Sequence, residues 1–166
     1  MRTDLTTFIR QLRLLLLGLW LGAAVAPALF GVLRDAGLTN ANELAGSIVT
    51  RLLGFINRGG IEIALFLLVT AFFVNRNRSR FAQVAEVISI AIMAIMTGVS
   101  NWIISARMLA LRASMGTIDQ VSPTDARRIE FDSLHRYSVR VMAVALVAGL
   151  VAFVIASRSH AESKRQ

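Results

Sequence analysis

Asp132, His135 and Ser138 bring a carboxylate, an imidazole and a hydroxyl within seven residues, the residue types of a nucleophilic hydrolase. Their spacing argues against that chemistry. On one helix Asp132 and Ser138 sit about 120° apart and about 9 Å along the axis, so they cannot share one imidazole in relay. No Gly-x-Ser-x-Gly elbow accompanies them. The second histidine, His160, lies in the tail, whereas paired-histidine haem binding needs two on facing helices. The absence of cysteine excludes thiolate metal sites and disulfides. Met93, Met96, Met108 and Met142 are soft donors of the kind a copper-like cation takes, but methionine in apolar helices is more often filler. The expectation is no enzyme activity, no cofactor and no metal.

The residues with more to say lie on two helical faces. With Glu86 at zero on a 100° wheel, Ser89, Thr97, Ser100, Asn101 and Arg107 fall within about 60° of it, as does Met93. Ile88, Ile92, Ile95, Val99, Trp102 and Ile103 occupy the opposite side. A charge exposed at mid-bilayer costs roughly 2.5–3.5 kcal/mol or more, so such a wedge should face protein or water. It could line a permeation path; hydrogen bonding between helices in a bundle core is the simpler account and is favoured.

The second face joins Phe131, Leu134, His135, Ser138, Met142, Ala145, Gly149, Ala152 and Ala156, against a far side of Arg136, Arg140, Val144, Val147, Val151 and Val154. Its small residues would admit another helix closely, with Gly18 and Gly22 of the first apolar segment as a docking partner or a dimerisation motif. A polar cluster of His135, Ser138, Asn101 and Glu62, with Asn57 and Ser105 nearby, is expected at the mouth of the bundle. His135 there hydrogen-bonds one neighbour and fixes the splay of its helix; a proton relay is the alternative. Asp132, Arg136 and Arg140 read as solvated ion pairing and headgroup contact.

The elements that must position these faces are apolar segments. The chain of 166 residues is 55% hydrophobic and 17% charged, shifted from a soluble domain toward lipid, and its mean hydropathy is +0.63. Leu14–Leu33 and Val87–Ala106 are each 20 residues without a charge, enough for about 30 Å of hydrocarbon. Val141–Ser157 supplies 17. Ile63–Val74 has only 12 and must extend back through Glu62, Arg58 and Asn57 to about Leu52. Four spans are predicted, near 14–33, 52–74, 84–106 and 138–157. The first is read as a retained span, not a cleaved signal, because its apolar run exceeds a signal peptide's h-region. Asn40-Ala-Asn-Glu43 looks like a capping box opening an amphipathic interfacial helix over 41–57, hinged to the second span at Gly59-Gly60. Ser122-Pro123-Thr-Asp125 predicts a helix start with Ser122 as cap, so the last span gains a helical extension over 123–138.

The net charge of +8 suggests nucleic acid in a soluble protein, but here the arginines flank apolar runs, as at anionic headgroups, and no RNA-binding motif is present. Nine positive residues in short segments lie on the side of the termini; their density favours both termini in the cytoplasm. The preference for arginine over lysine hints at a GC-rich genome and a bacterial cytoplasmic membrane.

Phe131-Asp-Ser-Leu134-His135-Arg136-Tyr137-Ser138 at the entry to the last span resembles the signature of the transmembrane protein 205-like family. Leu17-Gly-Leu-Trp20-Leu-Gly22 with Phe30, and Met-Leu-Ala-Leu-Arg112, extend the likeness. It implies four spans over the whole chain and brings no established biochemical activity.

The sequence thus predicts a single all-α integral membrane domain: a four-helix bundle with an interfacial helix and an extended last helix. Its partners are the bilayer and either a second copy or another membrane protein. A structural or accessory role through helix contacts leads; a small oligomeric transporter or channel using the polar wedge is the alternative.

Overall fold

The computed structural model describes residues 2–35, 42–74, 79–116 and 120–163. Among them the long elements are all helical: α1 (Arg2–Asp35), α2 (Asn42–Val74), α3 (Arg80–Gly98), a π-helical turn (Val99–Ile104), α4 (Ser105–Met115) and α5 (Ala126–Ser163). In hydrocarbon a backbone must satisfy its own polar groups, and helices do so within one segment. Four rods are long and apolar enough to cross a bilayer: α1, α2, α5, and the continuous rod of α3, the π turn and α4. This is an all-α, multi-pass integral membrane bundle.

The rods pack in a ring, α1 against α2, α2 against α3, α3 against α5, and α5 back against α1, so that α1 and α3 face each other across one diagonal. Leu17, Ala64, Leu67, Ile90, Met93, Ala145 and Ala152 fill the centre at 1% exposure or less. Outside, Ile88, Ile95, Ile103, Val144, Val147 and Leu150 are exposed. Such an apolar exterior is a liability in water and the required surface in lipid.

All four rods are longer than the hydrocarbon is thick, α1 with 34 residues and α2 with 33, and two of them extend together. The α3–α4 rod has 36 residues, roughly 54 Å at 1.5 Å per residue, against about 30 Å of hydrocarbon. α5 has 38. Beyond the bilayer, α4 packs on the first turns of α5 as a two-helix stalk. Arg107 meets Glu130 at 2.7 Å and Arg127 donates to the Ser114 carbonyl at 2.9 Å. Gly116 ends α4 at φ +68, a left-handed conformation that glycine adopts without a Cβ penalty.

Two local expectations are corrected, and a third is not reached. No hinge interrupts α2 at Gly59-Gly60; the interfacial helix and the second span are one helix. Glycine costs about 1 kcal/mol in a helix, less than leaving backbone groups unsatisfied in lipid. The expected cap at Asn40 lies outside the described residues. At α5 the cap is Asp125, not Ser122: Asp125 accepts from the Arg127 amide at 2.8 Å, while Ser122 forms the preceding turn by accepting the Asp125 amide at 3.0 Å.

Candidate functional site

Along α1, Arg13, Leu17, Trp20 and Ala24 recur at i, i+4, i+7 and i+11, and all four are buried. Arg13 therefore occupies the first position of the core-facing seam. Its Nη2 reaches Glu86 Oε1 of α3 across the diagonal at 2.5 Å. Its Nη1 donates to the Leu67 carbonyl at 2.7 Å and to Thr70 Oγ1, both on α2. Arg13 is 2% and Glu86 1% exposed. Three spans are thus tied by one guanidinium, whose planar fork suits several acceptors at once. Arg13 is one of the nine positive residues on the side of the termini; its phase with Leu17 and Trp20 is the signal that sets it apart from the other eight.

A second polar layer lies toward the stalk. The Trp20 indole donates to the Ile56 carbonyl at 3.0 Å, wedged between two helices that carry glycine at the contact. A Cβ at Gly60 would lie 2.6 Å from Trp20 Nε1, and one at Gly149 would lie 2.9 Å from Cζ3. The close approach of α1 to α5 therefore uses Trp20 as the knob and Gly149 as the hole. Gly18 and Gly22, expected to dock there, are exposed, with only Phe153 near Gly18 and nothing within 4 Å of a Cβ at Gly22. Beside Trp20, Asn57 of α2 donates to Ser100 Oγ at 2.9 Å. Asn57 is fully buried, and its Oδ1 has no hydrogen-bond partner. Ser100 belongs to the π turn, where the Ser105 amide bonds back to the Ser100 carbonyl.

The wedge of the third rod turns inward over most of its length: Glu86, Ser89, Thr97 and Ser100 are 8% exposed or less. Thr97 Oγ1 donates to the Met93 carbonyl at 2.8 Å, and Ser89 Oγ to the Ala85 carbonyl at 2.8 Å. Between the Arg13 and Asn57 layers sit the sealed apolar residues Leu17, Ala64, Leu67, Ile90 and Met93. Asn101, in the widened turn, is only half-buried, and Arg107 is exposed on the stalk.

The cluster expected around His135 does not assemble. Ser138 is buried at 8%, but His135 and Glu62 are exposed, and no hydrogen bond joins His135, Ser138, Asn101 or Glu62 to one another. His135 lies on the stalk, where α5 has α4 for its main neighbour and only a narrow stripe is covered. Phe131, Leu134 and Ser138 take that stripe; His135 falls off its edge. Glu62 shares α2 with Asn57 and Gly60, which face inward, and the helix carries it to the outer side.

Stalk electrostatics are local. The Arg127 side chain, with the Arg127 amide, holds the Asp125 carboxyl down at about 2. Asp132 pairs with Arg128 at 3.3 Å, so Arg136 has no acidic partner among the described residues. Arg140 sits over the Tyr137 ring at 5.8 Å. No group of three or more metal-ligating side chains occurs among the described residues.

A family model described as a domain of unknown function, DUF4149, matches residues 15–117. No curated protein and no solved structure matches the chain.

Proposed function

From the premise that this chain belongs to the DUF4149 family, whose function is unknown, we propose that it is a structural or accessory membrane protein that works through helix contacts and carries nothing across the bilayer. The observation that supports this reading is the closure of the polar wedge. A pathway needs water at Glu86 or Thr97, whereas Glu86 is engaged by Arg13 across the diagonal and both wedge residues are 1% exposed or less. An intramembrane charge is ordinarily a marker of transport or relay; here it serves as an interhelical tie.

The reading includes a bacterial cytoplasmic membrane with both termini inside, and the likeness of Phe131–Ser138 to the transmembrane protein 205-like signature, which rests on residues beyond the matched region. Oligomeric transport is the competing account. Asn57 Oδ1, buried without a partner, is the observation in its favour.

The chain has no cysteine, so single substitutions give clean probes. Ser89→Cys, Thr97→Cys and Ser100→Cys, each in intact membranes, should resist a membrane-impermeant maleimide applied from either face. Labelling of Thr97→Cys and Ser100→Cys from one side, with Ser89→Cys reached from the other, would establish a pathway and overturn the reading.

A further inference from the structure

On α2 the residues turned away from the bundle are Arg51, Phe55, Arg58, Glu62, Leu65, Val69 and Phe73. They recur at spacings of four and three, which is the seam of a helix that packs against another helix. Phe55, Leu65, Val69 and Phe73 are 56–75% exposed, and in lipid they need no cover. Of the three charges on this face, Arg51 lies nearest the end of the span, and Arg58 and Glu62, deeper, do need it.

Their depth follows from the cross-helix contacts. Asn57 pairs with Ser100, and α2 and α3 are antiparallel, so Phe55 is level with about Trp102. Trp102 is 67% exposed. Arg107 lies opposite Glu130, which brings Trp102 level with the turn that carries Tyr137, 55% exposed. Outward Trp and Tyr at one height mark the membrane interface. Arg58 then lies about 4–5 Å below that interface, and Glu62 about 10 Å below it. Arginine has a stem long enough to return its head to the headgroups; glutamate does not. No ion pair joins Arg58 to Glu62 within the chain, and neither has another polar partner among the described residues. Arginine preceding glutamate is also the less favourable order for an i, i+4 pair.

We propose that this face of α2 is an interface with a second copy of the chain, in which Arg58 of each copy neutralises Glu62 of the other. Copies inserted the same way through a bilayer are related by a two-fold axis along the membrane normal, and such an interface must be self-complementary. Across such an axis each residue lies level with its own counterpart, so the pairing runs diagonally: each Glu62 carboxylate meets the opposing Arg58 guanidinium one turn, about 6 Å, along the seam, and both diagonals form at once. Phe55 on one side and Leu65, Val69 and Phe73 on the other flank the charges with apolar packing. The proposal rests on the reading that the protein works through helix contacts, and it names the face and the partner.

Oxidative crosslinking of single-cysteine full-length chains in native membranes tests it. Leu65→Cys and Val69→Cys should give disulfide-linked homodimers, and Val147→Cys on the outer face of α5 should not. Crosslinks to a chain of another mass, equal crosslinking from Val147→Cys, or none from either α2 variant would overturn the proposal. In the Leu65→Cys background, Arg58→Glu or Glu62→Arg alone should lower the dimer yield about tenfold, and the exchanged double variant R58E/E62R should restore it. Unchanged yield in both single variants would also overturn it. Thr97→Cys accessibility separates the two readings: failed crosslinking with a protected Thr97→Cys removes the interface and leaves the sealed bundle standing.

Discussion

At the scale of single residues, the most consequential side chain is one that sequence reading left on the membrane surface. Arg13 exchanges water for a carboxylate, a carbonyl and a hydroxyl supplied by two other helices. Two buried charges gain from each other only when both are present. Arg13→Ala should therefore destabilise the bundle by about 3–5 kcal/mol, because Glu86 is left buried without its cation, whereas Arg13→Met with Glu86→Leu should recover most of that loss. Unfolding of each variant in mixed micelles, followed by far-ultraviolet circular dichroism, measures both. Equal losses in the single and double variants would show that the hydrogen bonds to Leu67 and Thr70, and not the ion pair, hold the helices. The residues first singled out fared unevenly for a physical reason. Glu86, Ser89, Thr97 and Ser100 were legible because helical phase alone separates them from a run of isoleucines. His135 was not, because phase gives direction without saying where along the rod the neighbouring helices stop.

At the scale of elements, Trp20 sets the spacing of α1, α2 and α5. Gly60→Ala places a methyl carbon 2.6 Å from the indole nitrogen, and overpacking of this kind typically costs 1–3 kcal/mol. The variant should unfold earlier and shift the tryptophan emission, since the indole must leave the Ile56 carbonyl. Emission identical to the parent would mean that the helices separate without disturbing Trp20. The start of α5 makes a different prediction. Asp125 ionises at about 2 in the folded protein and near its ordinary value of about 3.9 in the unfolded chain. A lowered folded value stabilises the helix above the ordinary range and is lost as pH falls through about 2. The protection factor of the Arg127 amide, taken against its intrinsic exchange rate at each pH, should hold from neutral pH through 4 and then fall toward 2, and Asp125→Asn should abolish that pH step. The helix boundary itself was legible to within three residues; the choice of Asp125 over Ser122 was not, because both are good caps and the turn decides between them. The hinge at Gly59-Gly60 misled for a related reason. Glycine reads as a break in water, but in this bundle Gly60 is a recess for a neighbour's ring.

For the whole molecule, the four-span architecture was written in segment length and hydropathy, and the ring order of the helices was not, since nothing local says which rods are neighbours and which face each other diagonally. That order gives the Arg13–Glu86 contact its consequence during synthesis. The two residues are separated by 73 positions, so the first span leaves the ribosome with a cation whose counter-charge does not yet exist. At 5–20 residues per second the delay is about 4–15 s. Throughout that interval the first span is best kept near the headgroups or beside the insertion machinery, and it can settle to its final depth only when the third arrives. Only the arrival of Glu86 supplies that counter-charge, and a chain truncated before residue 86 leaves Arg13 without it.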